Sequence, residues 1–345
     1  MSSGSGPERV EAAVEDRRGL INDAIVEMLP VQRPERLYEA SRYLLDAGGK
    51  RLRPTILLLV AEAIEGVEPL SADYRAFGPE TIDLMAAAVS VEVIQSFTLI
   101  HDDIMDDDDV RRGVPAVHRE YDLEAAILAG DTLYSKAFEY MLATGAPPDR
   151  SVRALRELAT TCTKICEGQA LDVEFEGRKS VPPEEYVEMV EHKTAVLYAA
   201  SASIPALLLG ADEEVVDALT GYGLDVGRAF QIQDDLLDLT TPSEKLGKQR
   251  GSDLIEGKGT IVTLHARRQG VDVDDLVEAD SREEVTEAEI DAAVARLEEA
   301  GSIDYARERA VEFVQQGKER LEVLPEGEAR RTLADIADYL IEREY

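Results

Sequence analysis

Two short clusters of aspartate carry the clearest chemistry in this sequence. Each has the form Asp-Asp-x-x-Asp, the first within LIHDDIMDDDDVRRG and the second within FQIQDDLLDLT. Their members are Asp102, Asp103, Asp106 and Asp234, Asp235, Asp238. In a helix the first and last aspartates of each cluster are four residues apart on one face, where their charges repel. A divalent cation removes that repulsion, and oxygen-only ligation suits Mg²⁺, which bridges carboxylates to substrate phosphates.

A solvated acidic face is the plain alternative to a metal site. One copy of the pattern is weak evidence, because an aspartate-rich chain produces it by chance. Two copies are stronger, since each ends a long apolar stretch instead of lying in a polar loop. A calcium loop fits the first cluster poorly, because the glycine and the distal glutamate of such loops are missing. We therefore predict Mg²⁺ sites whose ligands are Asp102, Asp106, Asp234 and Asp238.

Basic residues beside these clusters indicate what the metal serves. The chain has nine lysines against 28 arginines, and four of the lysines fall in short motifs: Lys50, Lys193, Lys248 and Lys258. Arg111 and Arg112 directly follow the first cluster. On a surface that otherwise avoids lysine, these positions favour a chemical role over a solubility role. Two metal sites and two groups of cations imply two polyanionic substrates, most simply two diphosphates.

Helical periodicity dominates the elements that must position these residues, and alternating β-branched runs are scarce. The expected helices cover residues 35–47, 53–65, 79–106, 122–143, 151–174, 184–209, 213–239, 260–268, 287–300, 303–324 and 328–343. No break in composition separates two halves of the chain. We therefore predict one all-α domain over residues 1–345, a single large helical bundle, with residues 1–20 as a mobile N-terminal segment.

The net charge of −34 limits the partners of the chain. Nucleic acids and anionic membrane surfaces are disfavoured, because both require basic residues to neutralise phosphate. Excess acid with scarce lysine indicates a surface adapted to high salt, where screening relieves self-repulsion. The two cysteines suit a reducing compartment, and the N-terminus lacks the apolar core of a signal peptide, so we expect a cytoplasmic protein. The apolar stretch 195–210 is too short for a membrane span and predicts a buried core helix.

Six ordered motifs resemble those of the trans-isoprenyl diphosphate synthases, which make farnesyl and geranylgeranyl diphosphate. The motifs are GGKRLRP, QSFTLIHDDIMDDDDVRRG, GQALD, HKT, FQIQDDLLD and GKQRGSDLIEGKGT, and the resemblance covers residues 37–263. It implies a single all-α bundle of the isoprenoid synthase type around a deep central cavity. It also implies a homodimer with two or three Mg²⁺ ions in each active site, for which Mn²⁺ can substitute.

The resemblance assigns a role to each matching residue. Mg²⁺ would be bound from one wall by Asp102 and Asp106 and from the facing wall by Asp234 and Asp238. Three further aspartates would lie close to the metals without ligating them: Asp103, Asp172 and Asp235. The allylic diphosphate would be held by Arg111, Lys193, Thr194, Gln231, Lys248 and Lys258. Isopentenyl diphosphate would be held by Lys50, Arg53, Gln95 and Arg112. Gln95 departs from the histidine of many relatives, although either side chain can donate to a phosphate oxygen.

The implied mechanism is carbocation chain elongation. Mg²⁺ and the cationic side chains neutralise the leaving diphosphate, so the allylic C–O bond ionises. The double bond of isopentenyl diphosphate attacks the cation, and a proton is lost to the departing diphosphate. The mechanism needs no side-chain nucleophile, which agrees with a sequence that offers no defensible nucleophile–base pair.

Product length depends on the helix that precedes the first cluster. Residues at positions −4, −5 and −8 from Asp102 are Thr98, Phe97 and Ile94, and a bulky ring here would form the floor of an apolar channel. In the family, an aromatic residue at position −5 without an insertion in the motif resembles the archaeal geranylgeranyl type. We therefore predict a C20 product, with C15 and C25 open as alternatives.

Three other functions compete with this interpretation. A terpene cyclase also ionises a prenyl diphosphate, but it needs no isopentenyl site, and Lys50, Arg53 and Arg112 argue against it. A catalytically silent partner subunit commonly loses its acidic motifs, whereas both are intact here. The third alternative is an acidic protein that binds divalent ions without catalysis. Isopentenyl-dependent diphosphate release by the protein alone separates the enzyme from the last two alternatives.

Overall fold

The computed structural model describes residues 5–176, 178, 181–246, 249–277 and 285–342. Within these ranges the helices of the first half are α1 (Gly6–Met28), α2 (Glu35–Asp46), α3 (Leu52–Glu65), α4 (Leu84–Met105), α5 (Val117–Glu120), α6 (Leu123–Leu142) and α7 (Pro148–Glu176). Those that follow are α8 (Pro183–Val190), α9 (Val196–Leu209), α10 (Glu213–Thr240), α11 (Ser243–Leu246), α12 (Ser252–Ile255), α13 (Ile261–Arg268), α14 (Glu287–Glu299), α15 (Ser302–Arg320) and α16 (Glu328–Glu342). A two-stranded hairpin, β1 (Val110–Arg111) and β2 (Val114–Pro115), follows α4. The prediction of an all-α protein is confirmed.

The chain forms two compact units, each assembled from separate segments. The first comprises Met1–Cys162, Ala199–Thr220 and Leu321–Ile336, and the second comprises Thr163–Tyr198, Gly221–Arg320 and Ala337–Tyr345. The first aspartate cluster belongs to the first unit and the second cluster to the second unit. One domain over residues 1–345 stays a prediction.

The core of the first unit is built around α4. Asp83 caps this helix by accepting a hydrogen bond from the backbone N–H of Ala86 at 2.8 Å. Every residue from Leu84 to Ile94 is buried, because α1, α3 and α6 all pack against the helix. By length and composition α4 could cross a membrane, but 72% of its apolar window is buried within the protein, as in a core helix.

The mobile segment expected at residues 1–20 is corrected from Gly6 onward, where α1 begins. Although α1 is rich in charge, it buries Val10 and Ile21. Its Arg17 donates two hydrogen bonds, of 2.8 and 2.7 Å, to Glu62 of α3, and both side chains are at most 1% exposed. A buried ion pair of this kind fixes the helix, because removing either partner leaves an uncompensated charge.

The helix expected over residues 184–209 is interrupted by a π-helical turn, Glu191–Ala195. It lies between α8 and α9, and the apolar part is buried as α9, which agrees with the expected core helix. π-turns are rare and occur frequently at functional sites. This one carries the HKT motif.

The surplus of acidic side chains predicts salt-dependent stability. We expect the melting temperature to rise continuously from low salt to about 2 M KCl, because screening shortens the range of repulsion between surface carboxylates. Calorimetry over a KCl series tests this expectation, with an equal osmolarity of sucrose as the control for exclusion effects. A melting temperature that is already maximal at low salt would contradict it.

Candidate active site

The first aspartate cluster occupies the C-terminal end of α4. Asp102 and Asp103 lie in the last turn. Asp106 is the C-cap residue, and its backbone N–H donates to the backbone carbonyl oxygen of Asp102. The second cluster similarly lies in the last two turns of α10. Helix C-termini carry partial negative charge, so carboxylates there are destabilising unless cations compensate them. Both clusters are therefore placed where positive charge is required.

Asp103 turns into the protein and is fully buried. Its Oδ1 accepts from the Nε of Arg111 at 2.6 Å, whereas Oδ2 meets no partner among the residues with assigned positions. Burial raises the pKa of Asp103 to about 6, with the positive charge of Arg111 opposing the rise. Asp102 and Asp106 are half-buried. The geometry separates a buried, paired carboxylate from two more accessible ones.

The hairpin directs the two arginines after the first cluster to different neighbours. Its turn residues, Arg112 and Gly113, both have positive φ, 54° and 77°, which suits the tight twist of a two-residue hairpin. Arg111 returns to the cluster and pairs with Asp103 and also with Asp108 at 2.8 Å. In this arrangement the guanidinium of Arg111 compensates carboxylates of its own motif.

Arg112 instead contacts the glycine-rich loop before α3. Its Nη1 donates to the carbonyl oxygens of Leu44, at 3.0 Å, and Gly48. A Cβ on Gly49 would lie only 3.0 Å from the Arg112 guanidinium carbon, so glycine permits the close approach. Burial lowers the pKa of Arg112, Glu92 opposes this, and Arg51 and Arg53 lower it further. Gln95 lies half-buried on α4, and Lys50 is exposed in the loop.

The second cluster forms a hydrogen-bonded chain with side chains of α8 and the π-turn. Asp235 is 3% exposed and accepts from the hydroxyl of Tyr186 and, at 3.2 Å, from the amide of Gln231. Thr194 donates to the Gln231 carbonyl oxygen at 3.0 Å. Burial raises the pKa of Asp235 well above its usual range, and Asp253 adds to the rise. Tyr186 was missed by sequence reasoning, which had no signal to distinguish it from a core tyrosine.

Asp238 holds a loop in this structure. Its two carboxylate oxygens accept from the Ser252 hydroxyl at 2.7 Å and the Asp253 backbone N–H at 3.1 Å. Its backbone carbonyl accepts from Gly251 at 2.7 Å. Asp238 is only 2% exposed, and both of the oxygens that were expected to ligate Mg²⁺ instead anchor the start of α12. Asp234, in contrast, is half-buried.

Two glycines allow the π-turn to approach its neighbouring helices. A Cβ on Gly168 of α7 would lie 2.2 Å from the backbone nitrogen of Lys193, and one on Gly227 of α10 would lie 2.5 Å from the Cα of Ala195. Real atoms cannot take these positions, so the close packing of three backbones depends on glycine. The approach places the ammonium of Lys193 2.6 Å from the Asp172 carboxylate.

A cavity of about 120 Å³ lies within the second unit. It brings together six residues predicted from sequence, namely Asp172, Lys193, Thr194, Gln231, Asp235 and Lys258. Tyr186 and Asp253 also line it. The ammonium of Lys258 lies 3.0 Å from Glu256. Lys248, also predicted to bind the allylic diphosphate, lies outside the described residues.

The residues expected to set product length lie where α4 packs on α6. The Phe97 ring contacts His101 edge-on, with centroids 4.9 Å apart, and Tyr134 of α6 at 5.2 Å. Tyr134 continues the row to Phe138 at 5.1 Å. Ile94 is fully buried, and the Thr98 hydroxyl donates to the backbone carbonyl of Gln95. Tyr134 and Phe138 come from another helix, so a pattern read along α4 could not indicate them.

The carboxylates suit a metal that is only partly held by protein. Among the residues that the structure describes, no three His, Cys, Asp or Glu side chains are close enough to enclose an ion. Mg²⁺ needs no such cage, because it is commonly held by one or two carboxylates together with water and substrate phosphates. Asp102 with Asp106, and Asp234 separately, offer donors of that kind. The buried, unpartnered Oδ2 of Asp103 adds a polar atom beside the first pair.

Comparison with known proteins identifies the family. Residues 34–297 match the family model described as polyprenyl synthetase. Geranylfarnesyl diphosphate synthase of Natronomonas pharaonis is 72% identical, over 98% of this chain and 99% of that protein. The solved geranylgeranyl pyrophosphate synthetase of Geoglobus acetivorans superposes with a TM-score of 0.85, at 46% identity over 96% of this chain and 99% of that one. Polyprenyl synthase of Caulobacter crescentus, solved with calcium and isoprenyl diphosphate, gives 0.83 at 31% identity, covering 100% of both chains. The chain therefore belongs to the polyprenyl synthetase family, has the all-α isoprenoid synthase fold and is a polyprenyl diphosphate synthase, a prenyl transferase.

Proposed function

We propose that this enzyme condenses isopentenyl diphosphate with allylic diphosphates in a Mg²⁺-dependent reaction and releases geranylfarnesyl diphosphate, C25, as its longest main product. The observation that carries the reaction is the cavity of the second unit, where Lys193 and Lys258 converge with Asp172 and Asp235. Cations and carboxylates in one small cavity suit a diphosphate bound through both side chains and metal.

The allylic diphosphate is assigned to the residues of this cavity. Lys193 and Lys258 supply positive charge. Thr194 and Gln231 supply groups that form hydrogen bonds, and the bond between these two side chains holds them in place. Bound Mg²⁺ would supply Lewis-acid stabilisation of the charge that develops as the C–O bond ionises. Asp102, Asp106 and Asp234 are the proposed ligands. We assign Asp238 to anchoring the 251–253 loop, because its oxygens are used there.

Isopentenyl diphosphate is assigned to Lys50, Arg53, Gln95 and Arg112, which all belong to the first unit. Arg111 pairs with Asp103 and Asp108 and so neutralises part of the first cluster. Two separate anion-binding sets favour a transferase with two diphosphate substrates over a cyclase, which needs one.

Two observations bear on the product length, and they point in different directions. An aromatic residue at position 97 favours C20. A C25 synthase, however, is 72% identical to this chain, against 51% for the C20 synthase of Methanosarcina mazei. The Phe97 ring packs toward Tyr134 of α6. The next residue toward the motif is Thr98, whose side chain is small. We therefore favour C25 and keep C20 as the second candidate.

Incubation with isopentenyl diphosphate, Mg²⁺ and dimethylallyl diphosphate at molar salt tests the product assignment. Chromatography of the dephosphorylated alcohols should show C25 as the final product, formed through C20. Accumulation that stops at C20 would select the second candidate, and a C15 end product would reject both.

Replacing Phe97 with alanine is expected to shift the products by at least one five-carbon unit toward longer chains. Loss of the ring opens space next to Tyr134 that an extended prenyl tail can enter. The same chromatography measures the shift. Phe313→Ala removes an equal ring from the core of the second unit and should leave product length unchanged. Unchanged products in Phe97→Ala would remove this residue from the channel floor.

We also propose that a second copy of the chain covers an exposed apolar stripe on α6. Leu123, Ile127, Tyr134 and Leu142 lie on one face of the helix and are between 37% and 59% exposed. A row of exposed apolar side chains on one helix face is typical of an interface, and Tyr134 of this stripe also contacts the Phe97 ring. Sedimentation at molar salt that gives a monomer mass would reject the dimer.

A further inference from the structure

A buried ion pair lies next to the residues assigned to isopentenyl diphosphate. Arg51 donates to Glu92 at 2.5 Å, and each residue is only 3% exposed. Neither residue carries a predicted role. Yet Arg51 stands between Lys50 and Leu52 in the glycine-rich motif, and Glu92 lies one helical turn before Gln95 on α4.

Arg51 ties three parts of the first unit together. Its Nε donates to the Asn22 side chain of α1 at 2.9 Å, and Nη2 donates to the backbone carbonyl of Leu45 in α2 at 2.6 Å. Arg51 directly precedes α3. Through these two bonds and the bond to Glu92, its guanidinium links the start of α3 to α1, α2 and α4. A planar fork with several fixed donors is suited to this task, and a lysine could not make these contacts together.

Glu92 also reaches the second arginine of the hairpin. Its Oε1 lies 3.6 Å from Nη2 of Arg112, whose other contacts are the loop carbonyls of Leu44 and Gly48. One carboxylate thus stands between Arg51 and Arg112 and offsets their mutual repulsion. Because it is buried and already paired, it stabilises the cations without occupying the position of an incoming anion.

Five of the described residues other than glycine have positive φ, and both arginines are among them. Arg51 has φ 53° and Arg112 has φ 54°, in the left-handed region that costs a residue with a side chain about 1 kcal/mol or more. Such conformations persist only where the surroundings determine them, and they cluster at binding sites. At Arg51 the surroundings are the hydrogen bonds to Asn22, Leu45 and Glu92, and at Arg112 they are the hairpin turn.

We propose that Arg51 and Glu92 are positioning residues that hold Lys50, Arg53, Gln95 and Arg112 in the arrangement that binds the diphosphate of the homoallylic substrate. The proposal rests on the assignment of those four residues under the proposed function. It distinguishes Arg51–Glu92 from the Arg17–Glu62 pair, which is equally buried in the same unit and has an N–O distance of 2.7 Å. Glu62 also accepts hydrogen bonds from the Leu70 backbone and the Tyr74 hydroxyl, residues outside the set of four.

The experiment compares Glu92→Gln with Glu62→Gln as a matched control. Both substitutions remove one buried negative charge and keep the shape of the side chain. Steady-state kinetics with each substrate varied separately, together with melting temperatures, are measured for the wild type and both variants. Glu92→Gln should raise KM for isopentenyl diphosphate about tenfold or more and leave KM for the allylic diphosphate within about twofold. Glu62→Gln should lower the melting temperature with both KM values unchanged.

Three results would overturn the proposal: an unchanged isopentenyl KM in Glu92→Gln, an equal rise of both KM values, or the same isopentenyl-specific rise in Glu62→Gln. If Glu92→Gln does not fold, Arg51→Lys keeps the charge, loses the fork and should give the same split. The wild type in the same assay distinguishes failure of the positioning role from failure of the proposed function. Without isopentenyl-dependent turnover in the wild type the proposed function itself fails, whereas normal wild-type turnover with an unaltered variant KM rejects only the positioning role.

Discussion

Asp102→Ala and Asp234→Ala are each expected to lower kcat by several orders of magnitude, about 10³-fold or more, with the fold retained. Each substitution removes a carboxylate from a helix C-terminus, where it is electrostatically unfavourable in the free protein. Stability should therefore change little. The loss of rate follows because the leaving diphosphate would ionise without the cation that these carboxylates are proposed to hold.

A matched control comes from the same acidic run. Asp109 is 81% exposed and pairs only on the surface with Arg119, at 2.8 Å, so Asp109→Ala removes the same charge from the same segment. It should keep turnover within about twofold, since surface pairs contribute little. Stopped-flow or radiolabel assays and circular dichroism measure rate and fold together. Turnover near the wild-type level in Asp102→Ala or Asp234→Ala would refute the metal assignment.

Gly168→Ala is expected to have the second largest effect, although the change is a single methyl group. The new Cβ would lie 2.2 Å from the backbone nitrogen of Lys193 and 2.7 Å from the backbone carbon of His192. Backbone cannot yield as a flexible side chain can, so α7 and the π-turn must separate. Overpacking of this kind typically destabilises by about 1–3 kcal/mol. A displacement of Lys193 and Thr194 by about 1 Å can lower activity a further 100-fold.

Gly317→Ala in α15 is the control for this substitution. Gly317 is also a buried helical glycine, but a Cβ there would meet its nearest neighbour at 3.5 Å, which is ordinary contact. We expect this variant to be as active as the wild type. If Gly168→Ala retains full activity, the π-turn does not depend on the close approach of α7. Equal losses in both variants would attribute the effect to helix glycines in general.

The long amphipathic and apolar helices were predictable because their periodicity is a property of the sequence itself. Helix α4 was expected from residue 79 and begins at Leu84, where Asp83 provides a cap. Helix α1 was missed because its buried residues are few and its anchor is the ion pair of Arg17 with Glu62, a contact 45 residues away. The π-turn was missed because HKTA reads as continuous helix, and only the glycines of two other helices make room for it.

The candidate site was predictable where residue type alone indicates chemistry, as with the paired aspartates and the scarce lysines. It was not predictable where burial changes the role of a residue. Asp103, Asp235 and Asp238 have the same side chain as Asp102, yet one pairs with Arg111, one with Tyr186 and one with a loop backbone. The supporting residues Tyr186, Arg51 and Glu92 resemble ordinary core or surface positions until the distances are known.

The release of diphosphate by the purified protein, at molar salt with dimethylallyl diphosphate, tests the central claim most directly. Release should require both isopentenyl diphosphate and Mg²⁺, stop when a chelator is added, and match the amount of isopentenyl diphosphate consumed. Release from the allylic substrate alone, or release that continues without divalent metal, would contradict the account.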